Sequence, residues 1–252
     1  MLFLKFALLV CFIAISTNSN AQTLGFGCLG FVGGYAGFTY QQYNPKGLNE
    51  YINSFNINNA DSLSSPMNNF GQAQGYRFGI NFFRANVKGF ILTTKGFYQS
   101  VTENHQTQIN SYAGASTVIN QIQLTNWGLG IDLGTIITGA LSWKVIDAAL
   151  IYTSASYTNT TNSPGPSSVI YKYNSENPSI GYSVGTGFIL DVIENYISLE
   201  GTAGYSAFSI GKMKSVDGTE LAVSENSNVS MKNFISNGGF NAAIQLNFGF
   251  PL

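Results

Sequence analysis

Apolar and polar residues alternate through residues 240–250 and give this segment two different faces. Because successive side chains of a β-strand point to opposite sides, a period of two predicts a strand that is apolar on one face only. The same period recurs in 76–83, 182–190 and 197–206, where the second face holds Gly, Ser, Thr, Asn and a few charges. The apolar face of the last segment consists of Phe240, Ala242, Ile244, Leu246, Phe248 and Phe250.

Alternation of this kind fits a soluble sandwich as well as a membrane barrel, so composition is needed to separate the two. Only 9% of the residues are charged, against about 25% in ordinary soluble domains. Aromatic residues make up 14% of the chain, yet the mean hydropathy is only +0.09. This balance favours strands whose apolar face meets lipid. The net charge of −1 gives no basis for a nucleic-acid partner.

The spacing of the periodic segments predicts eight antiparallel strands. Their connections alternate in length, with short turns at 85–87, 138–139 and 192–194, and this alternation is typical of an outer-membrane barrel. Segment 140–157 is apolar on both faces, and we predict a strand there because a helix would leave an odd number of strands. The strands are predicted at 25–41, 73–85, 88–102, 118–135, 140–157, 178–190, 195–209 and 235–250, and the long loops at 42–72, 103–117, 158–177 and 210–234.

Several predicted strands keep their pattern for about 14–17 residues, whereas strands of globular proteins usually have about 5–6. In hydrocarbon every backbone N–H and C=O needs a partner within the protein, so such a sheet must close on itself. We therefore predict a closed up-and-down transmembrane barrel with both termini in the periplasm. Aromatic residues that the pattern places near the membrane boundaries are Tyr40, Tyr98, Trp127, Trp143, Tyr157, Tyr196 and Phe250.

The amino terminus has the pattern of an export signal. Lys5 precedes an apolar run at 6–15, and small polar residues lead to Ala21. We predict a signal peptide at 1–21 and a barrel domain at 22–252. Removal of the signal would leave Cys28 as the one cysteine, so neither an intramolecular disulfide nor a cysteine-based metal site is expected.

Five charged residues fall on the predicted inward face of the strands. Arg77, Lys95, Asp147 and Glu200 are expected at similar heights, and Asp132 nearer the periplasmic end. Because an unpaired buried charge is costly, we predict that these side chains pair with one another across the lumen. An eight-stranded barrel is narrow enough for side chains to fill it.

With these features the chain resembles the small eight-stranded outer-membrane barrels of the OmpA/OmpX-like and porin-family type. The resemblance rests on Asn20-Ala21-Gln22, on the four long loops and on the last strand, 239–250. It implies outer-membrane lipids as surroundings, recognition of the terminal aromatic strand by the assembly machinery, and no catalytic residue or cofactor. Pro251 and Leu252 follow Phe250, so the terminal recognition signal is displaced by two residues.

Other chemistry has weaker support in the sequence. His105, with Ser100 and Ser111 nearby, is the one candidate for a lipid-modifying enzyme on the same barrel. Gly128-Leu129-Gly130 and Gly185-Thr186-Gly187 lack the spacing and the following helix of a nucleotide loop. Isolated loop carboxylates that could bind calcium are Asp61, Asp217 and Glu220.

The sequence therefore predicts a non-enzymatic, monomeric outer-membrane barrel with a structural, surface-interaction or weak passive-pore role. Two alternatives stay open at this stage. One is the lipid-modifying enzyme built around His105. The other is a soluble secreted barrel or sandwich that binds an apolar ligand.

Overall fold

A computed structural model describes residues 33–87, 89–112, 114–164, 168–194 and 196–249. The predicted signal peptide, Cys28 and Phe250 lie outside the described residues. Within them the structure has ten strands and one helix. The elements are β1 (Gly33–Gln42), α1 (Lys46–Asn58), β2 (Gln72–Val87), β3 (Phe90–Ser111), β4 (Gly114–Ile136), β5 (Leu141–Asn162), β6 (Ser168–Ser175), β7 (Ser179–Ile193), β8 (Ile197–Ala207), β9 (Met213–Ser215) and β10 (Phe240–Gly249).

Eight of these strands form a closed antiparallel barrel, as predicted. They follow one another around the wall in the order β1, β2, β3, β4, β5, β7, β8, β10, and β10 pairs with β1 to close it. Segment 140–157 is confirmed as a strand, since Leu141–Asn162 pairs with β4 on one side and with β7 on the other. β6 and β9 extend the sheet beyond the barrel at its long-loop end.

The apolar face of each barrel strand points outward, as the alternation predicts. Phe78, Leu199 and Ile244 are 45%, 40% and 64% exposed, whereas Arg77 and Glu200 are 8% and 4% exposed. A soluble barrel or sandwich would show the reverse, because its apolar face forms the core. The small and polar residues thus fill the interior, and the apolar residues form the outer wall.

The prediction of a loop at 103–117 is wrong. β3 and β4 continue through this range and pair residue by residue up to Ser111 and Gly114. Most of 158–177 is likewise strand, in the outer part of β5 and in β6. Apolar alternation is missing in the extensions of β3, β4 and β5 because their outward face carries amide and hydroxyl side chains in place of apolar ones.

The helix α1 lies within the predicted loop 42–72. Its buried residues include Leu48, Ile52 and Phe55, which share one face because they are four and three residues apart. This spacing was readable in the sequence and identifies an amphipathic helix. No helix among the described residues is both long enough and apolar enough to cross a membrane.

The helix and the segment 208–235 pack against the inner side of the strand extensions. They form an apolar core above the barrel, which we call the outer plug. Tyr157 is fully buried in it, with its ring 5.9 Å from that of Phe234 and its hydroxyl donating to Asn120 Oδ1 at 2.8 Å. The outer plug consists of Leu48, Ile52, Phe55, Val118, Ile122, Leu124, Tyr157, Phe208, Ile210, Met213, Leu221, Met231, Phe234 and Ile235.

Candidate functional site

A cluster of buried ion pairs crosses the barrel interior. Lys95 Nζ lies 2.7 Å from Asp132 Oδ1 and 2.7 Å from Asp147 Oδ2. Lys144 Nζ lies 2.8 Å from Asp132 Oδ2 and also pairs with Glu200. The cluster links four strands, β3, β4, β5 and β8, so it ties opposite sides of the wall together.

Lys144 is a member of the cluster that the sequence analysis missed. Lys144 and Asp147 are three residues apart, so a regular strand would place them on opposite faces. The pairing of β5 with β7 is irregular between these two residues, and both side chains point inward as a result. A β-bulge of this kind has no reliable signal in one sequence, particularly in a segment that is apolar on both faces.

Two placements differ from those predicted. Asp132 lies directly across from Asp147 in the pairing of β4 with β5, and so is not nearer the periplasmic end. Arg77 is the exception to the expected pairing, because it forms no ion pair with any described residue. Its guanidinium carbon instead lies 3.9 Å from the centre of the Phe97 ring, a cation–π contact.

The short-turn end of the barrel opens into a cavity of about 120 Å³ that ends at the cluster. Tyr196 and Trp143 line its mouth, and Lys95, Lys144 and Glu200 line its inner end. The ion pairs therefore close the lumen from below, and the outer plug closes it from above.

The geometry around His105 does not form a nucleophile and base pair with either serine. His105 Nε2 is 2.8 Å from Glu103 Oε1, and the ring packs edge-on against Phe70. Glu103 also accepts hydrogen bonds from the Tyr43 hydroxyl and from the backbone N–H groups of 71 and 72. Ser100 lies on the opposite face of β3, where its hydroxyl accepts a bond from Gln123. The histidine thus helps to hold the segment before β2 against β3.

Two of the three loop carboxylates considered for calcium, Asp217 and Glu220, have protein partners. Asp217 accepts bonds from the Ser215 hydroxyl and from the Thr219 N–H. Glu220 pairs with Lys212 Nζ at 2.8 Å and with Lys214 Nζ at 3.7 Å. No group of three or more His, Cys, Asp or Glu residues capable of holding a metal ion occurs in the described part of the chain.

The pairing of Glu220 predicts its titration. The hydrogen bond from Lys212, followed by one from Ser230, lowers the pKa of Glu220 from 4.5 to about 2. A lowered pKa means that the interaction is fully present above pH 4.5 and is lost as the pH falls through about 2. We expect an NMR titration of the side-chain carboxyl to show this low midpoint, and Lys212→Met to raise it. A midpoint near 4.5 in the unmodified protein would contradict the ion pair.

The outer wall of the barrel carries a continuous belt of exposed apolar side chains. On β4 it runs from Trp127 through Leu129 and Ile131 to Ile136. At about 3.3 Å per residue and a tilt of about 40°, this stretch spans about 23 Å along the barrel axis, close to the height of about 25 Å of the apolar band of outer-membrane barrels.

An aromatic row marks the upper limit of the belt. Tyr98, Trp127 and Tyr152 are cross-strand neighbours on β3, β4 and β5 and all point outward. Trp143 and Tyr196, expected at a boundary, are exposed near the short turns. The prediction for Tyr157 is wrong, because this residue faces inward and is part of the outer plug.

Above the aromatic row the outward face of the same three strands changes abruptly. It bears hydroxyl and amide side chains, one large apolar residue and no charged residue. We call it the outer amide face. Of its side chains only Gln123 and Ser100 are hydrogen-bonded to each other; the others have no described side-chain partner. The face consists of Ser100, Thr102, Asn104, Gln106, Gln108, Asn110, Thr117, Ile119, Gln121, Gln123, Thr125, Ser154, Ser156, Thr158, Thr160 and Asn162.

Comparison with known proteins gives similarity in structure only. No protein-family model matches the chain, and no curated protein matches it in sequence. Ail, the attachment invasion locus protein of Yersinia pestis, solved with the heparin analogue sucrose octasulfate, is similar with a TM-score of 0.38 and 7% identity, over 87% of this chain and 98% of that one. The outer membrane protease OmpT from Escherichia coli is similar with a TM-score of 0.42 and 8% identity, over 91% and 100%. The closed eight-stranded antiparallel barrel itself agrees with the OmpA/OmpX-like architecture that the sequence resembles.

Proposed function

We propose that the protein is an integral outer-membrane barrel that holds a rigid β-sheet and its plug above the membrane surface, with a structural and surface-interaction role. The observation that carries this proposal is the exposed apolar belt, bounded by the aromatic row and followed by the uncharged outer amide face. In water such a belt would be a large unfavourable apolar surface, whereas lipid tails cover it at no cost.

The orientation follows from the lengths of the connections. The strand extensions and the plug lie at the long-loop end, which faces outward in outer-membrane barrels. The short turns, both ends of the barrel sheet and the cavity then face the periplasm. Export by the predicted signal peptide, recognition by the barrel-assembly machinery and a monomeric state remain predictions of this proposal.

A fractionation experiment tests the location. We expect the protein in the outer-membrane fraction, with a folded band that migrates differently from the boiled protein on a gel. Recovery in the soluble fraction without detergent would contradict the proposal and favour a soluble barrel.

We also propose that the barrel does not conduct. The buried ion pairs fill its middle and the outer plug fills its outer end, so no continuous water path is expected for ions. Planar bilayers that contain the protein should show no stable conductance steps above those of bilayers without it. Regular single-channel steps that the folded protein produces and the boiled protein does not would favour the passive-pore role instead.

A further inference from the structure

An apolar groove lies in the belt, directly below the outer amide face. It has a volume of about 920 Å³ and lies against β2 to β5 and β7. Its lining includes Gly96, which the edge of the Phe82 ring covers, and its upper edge is the aromatic row of Tyr98, Trp127 and Tyr152. The groove therefore borders the outer amide face at the aromatic row, along the same three strands.

Along its height the wall changes from apolar to polar at the aromatic row, as a lipid changes from acyl chain to headgroup. An acyl chain fits the groove, whose lining is almost entirely apolar. The aromatic row lies at the depth where Trp and Tyr meet both apolar and polar surroundings. The headgroup of a lipid held in the groove would then lie on the outer amide face.

The outer amide face favours an uncharged, hydroxyl-rich headgroup. A phosphate would require several cations; none of the residues of the face is charged, and Lys172 of β6, opposite Thr158, adds a single cation at its edge. A protein partner would require buried aromatic or Arg anchors, and Ile119 is the one large apolar residue there. Ser, Thr, Asn and Gln both donate and accept hydrogen bonds, as sugar hydroxyls do.

We propose that this wall of the barrel binds a glycolipid, with an acyl chain in the groove and its saccharide headgroup on the outer amide face. The proposal rests on the membrane location proposed above, and it adds the ligand and its site. The opposite wall provides a comparison: β8 lies diametrically across from β3, and Gly201 is exposed there in the belt with open space around it.

The test uses the full barrel in detergent micelles and native mass spectrometry. The probes are a diacylglycerol that carries an uncharged tetrasaccharide and the same diacylglycerol without sugar. We expect at least tenfold tighter binding of the glycolipid. Equal binding of the two probes would overturn the proposal.

Variants separate the two halves of the site. Gly96→Phe should weaken both probes by about tenfold or more, because the new ring, together with the Phe82 ring that it displaces, fills the groove; a Cβ at 96 would lie 2.9 Å from the edge of the Phe82 ring, so that ring must shift. Gly201→Phe, the matched control, should leave both unchanged. Asn104→Ala with Gln121→Ala should remove most of the preference for the sugar, about tenfold, while binding of the plain lipid persists.

Two further outcomes count against the proposal. The exposed amides Asn226 and Asn228 belong to segment 208–235 and not to this face, so their replacement by Ala should not change the preference; an equal loss there would show a nonspecific effect. If Gly96→Phe converts a dimer to a monomer without weakening glycolipid binding, the groove is an interface between copies and the proposal is wrong. Either result can occur in a correctly inserted barrel, so it leaves the membrane location intact.

Discussion

Replacement of Lys144 by Met is expected to lower the free energy of unfolding by about 3–5 kcal/mol, because it leaves buried carboxylates without their partner. Lys144 is 4% exposed and contacts Asp132, Asp147 and Glu200. Once it is removed, Lys95 is the cation left beside Asp132 and Asp147, and Glu200 loses its cationic partner. Urea unfolding of the protein in lipid vesicles, followed by tryptophan fluorescence, measures the effect.

A second substitution and a surface control sharpen this test. Adding Glu200→Gln to Lys144→Met removes one of the unpaired negative charges, so we expect part of the lost stability to return. Lys214, which pairs with Glu176 outside the barrel, provides the control. Lys214→Met should not shift the unfolding transition measurably, because an exposed ion pair is screened by water and salt. If Lys144→Met also leaves the unfolding transition unchanged, the cluster does not stabilise the barrel.

Replacement of Ile131 by Arg is expected to destabilise the inserted protein by about 2–4 kcal/mol, the cost of an Arg on the lipid face at mid-membrane. Ile131 points outward near the middle of the belt and is more than half exposed. The folded fraction after insertion into vesicles, read from the heat-modified gel band and from urea titration, gives the measurement.

Gln121→Arg is the matched control, since Gln121 lies on the same face of the same strand but above the aromatic row. It should behave like the unmodified protein. A soluble barrel would tolerate both substitutions alike, because Arg in place of an exposed residue costs little in water. Equal, small effects of the two substitutions would therefore exclude a membrane location for this wall.

Alternation along the chain is enough to predict which face of most strands is apolar, and with it the barrel. A period of two leaves no freedom: once Phe78 and Ile80 point outward, Arg77 must point inward. Backbone chemistry then requires closure of such a sheet in lipid, and the lengths of the turns follow from an up-and-down order. These are local or additive properties, and for this reason they could be predicted without coordinates.

What the strands do beyond the belt, and which charges meet, depends on contacts between segments that are distant in the chain. The bulge that turns Lys144 inward depends on the pairing of β5 with β7, and the height of Asp132 depends on the register of β4 against β5. The extensions of β3 and β4 carry no apolar alternation on their outward face. Their inward face can be identified as part of a core only from its packing against α1 and segment 208–235. These features arise from contacts between residues far apart in the chain, and such contacts leave no periodic signal in any one segment.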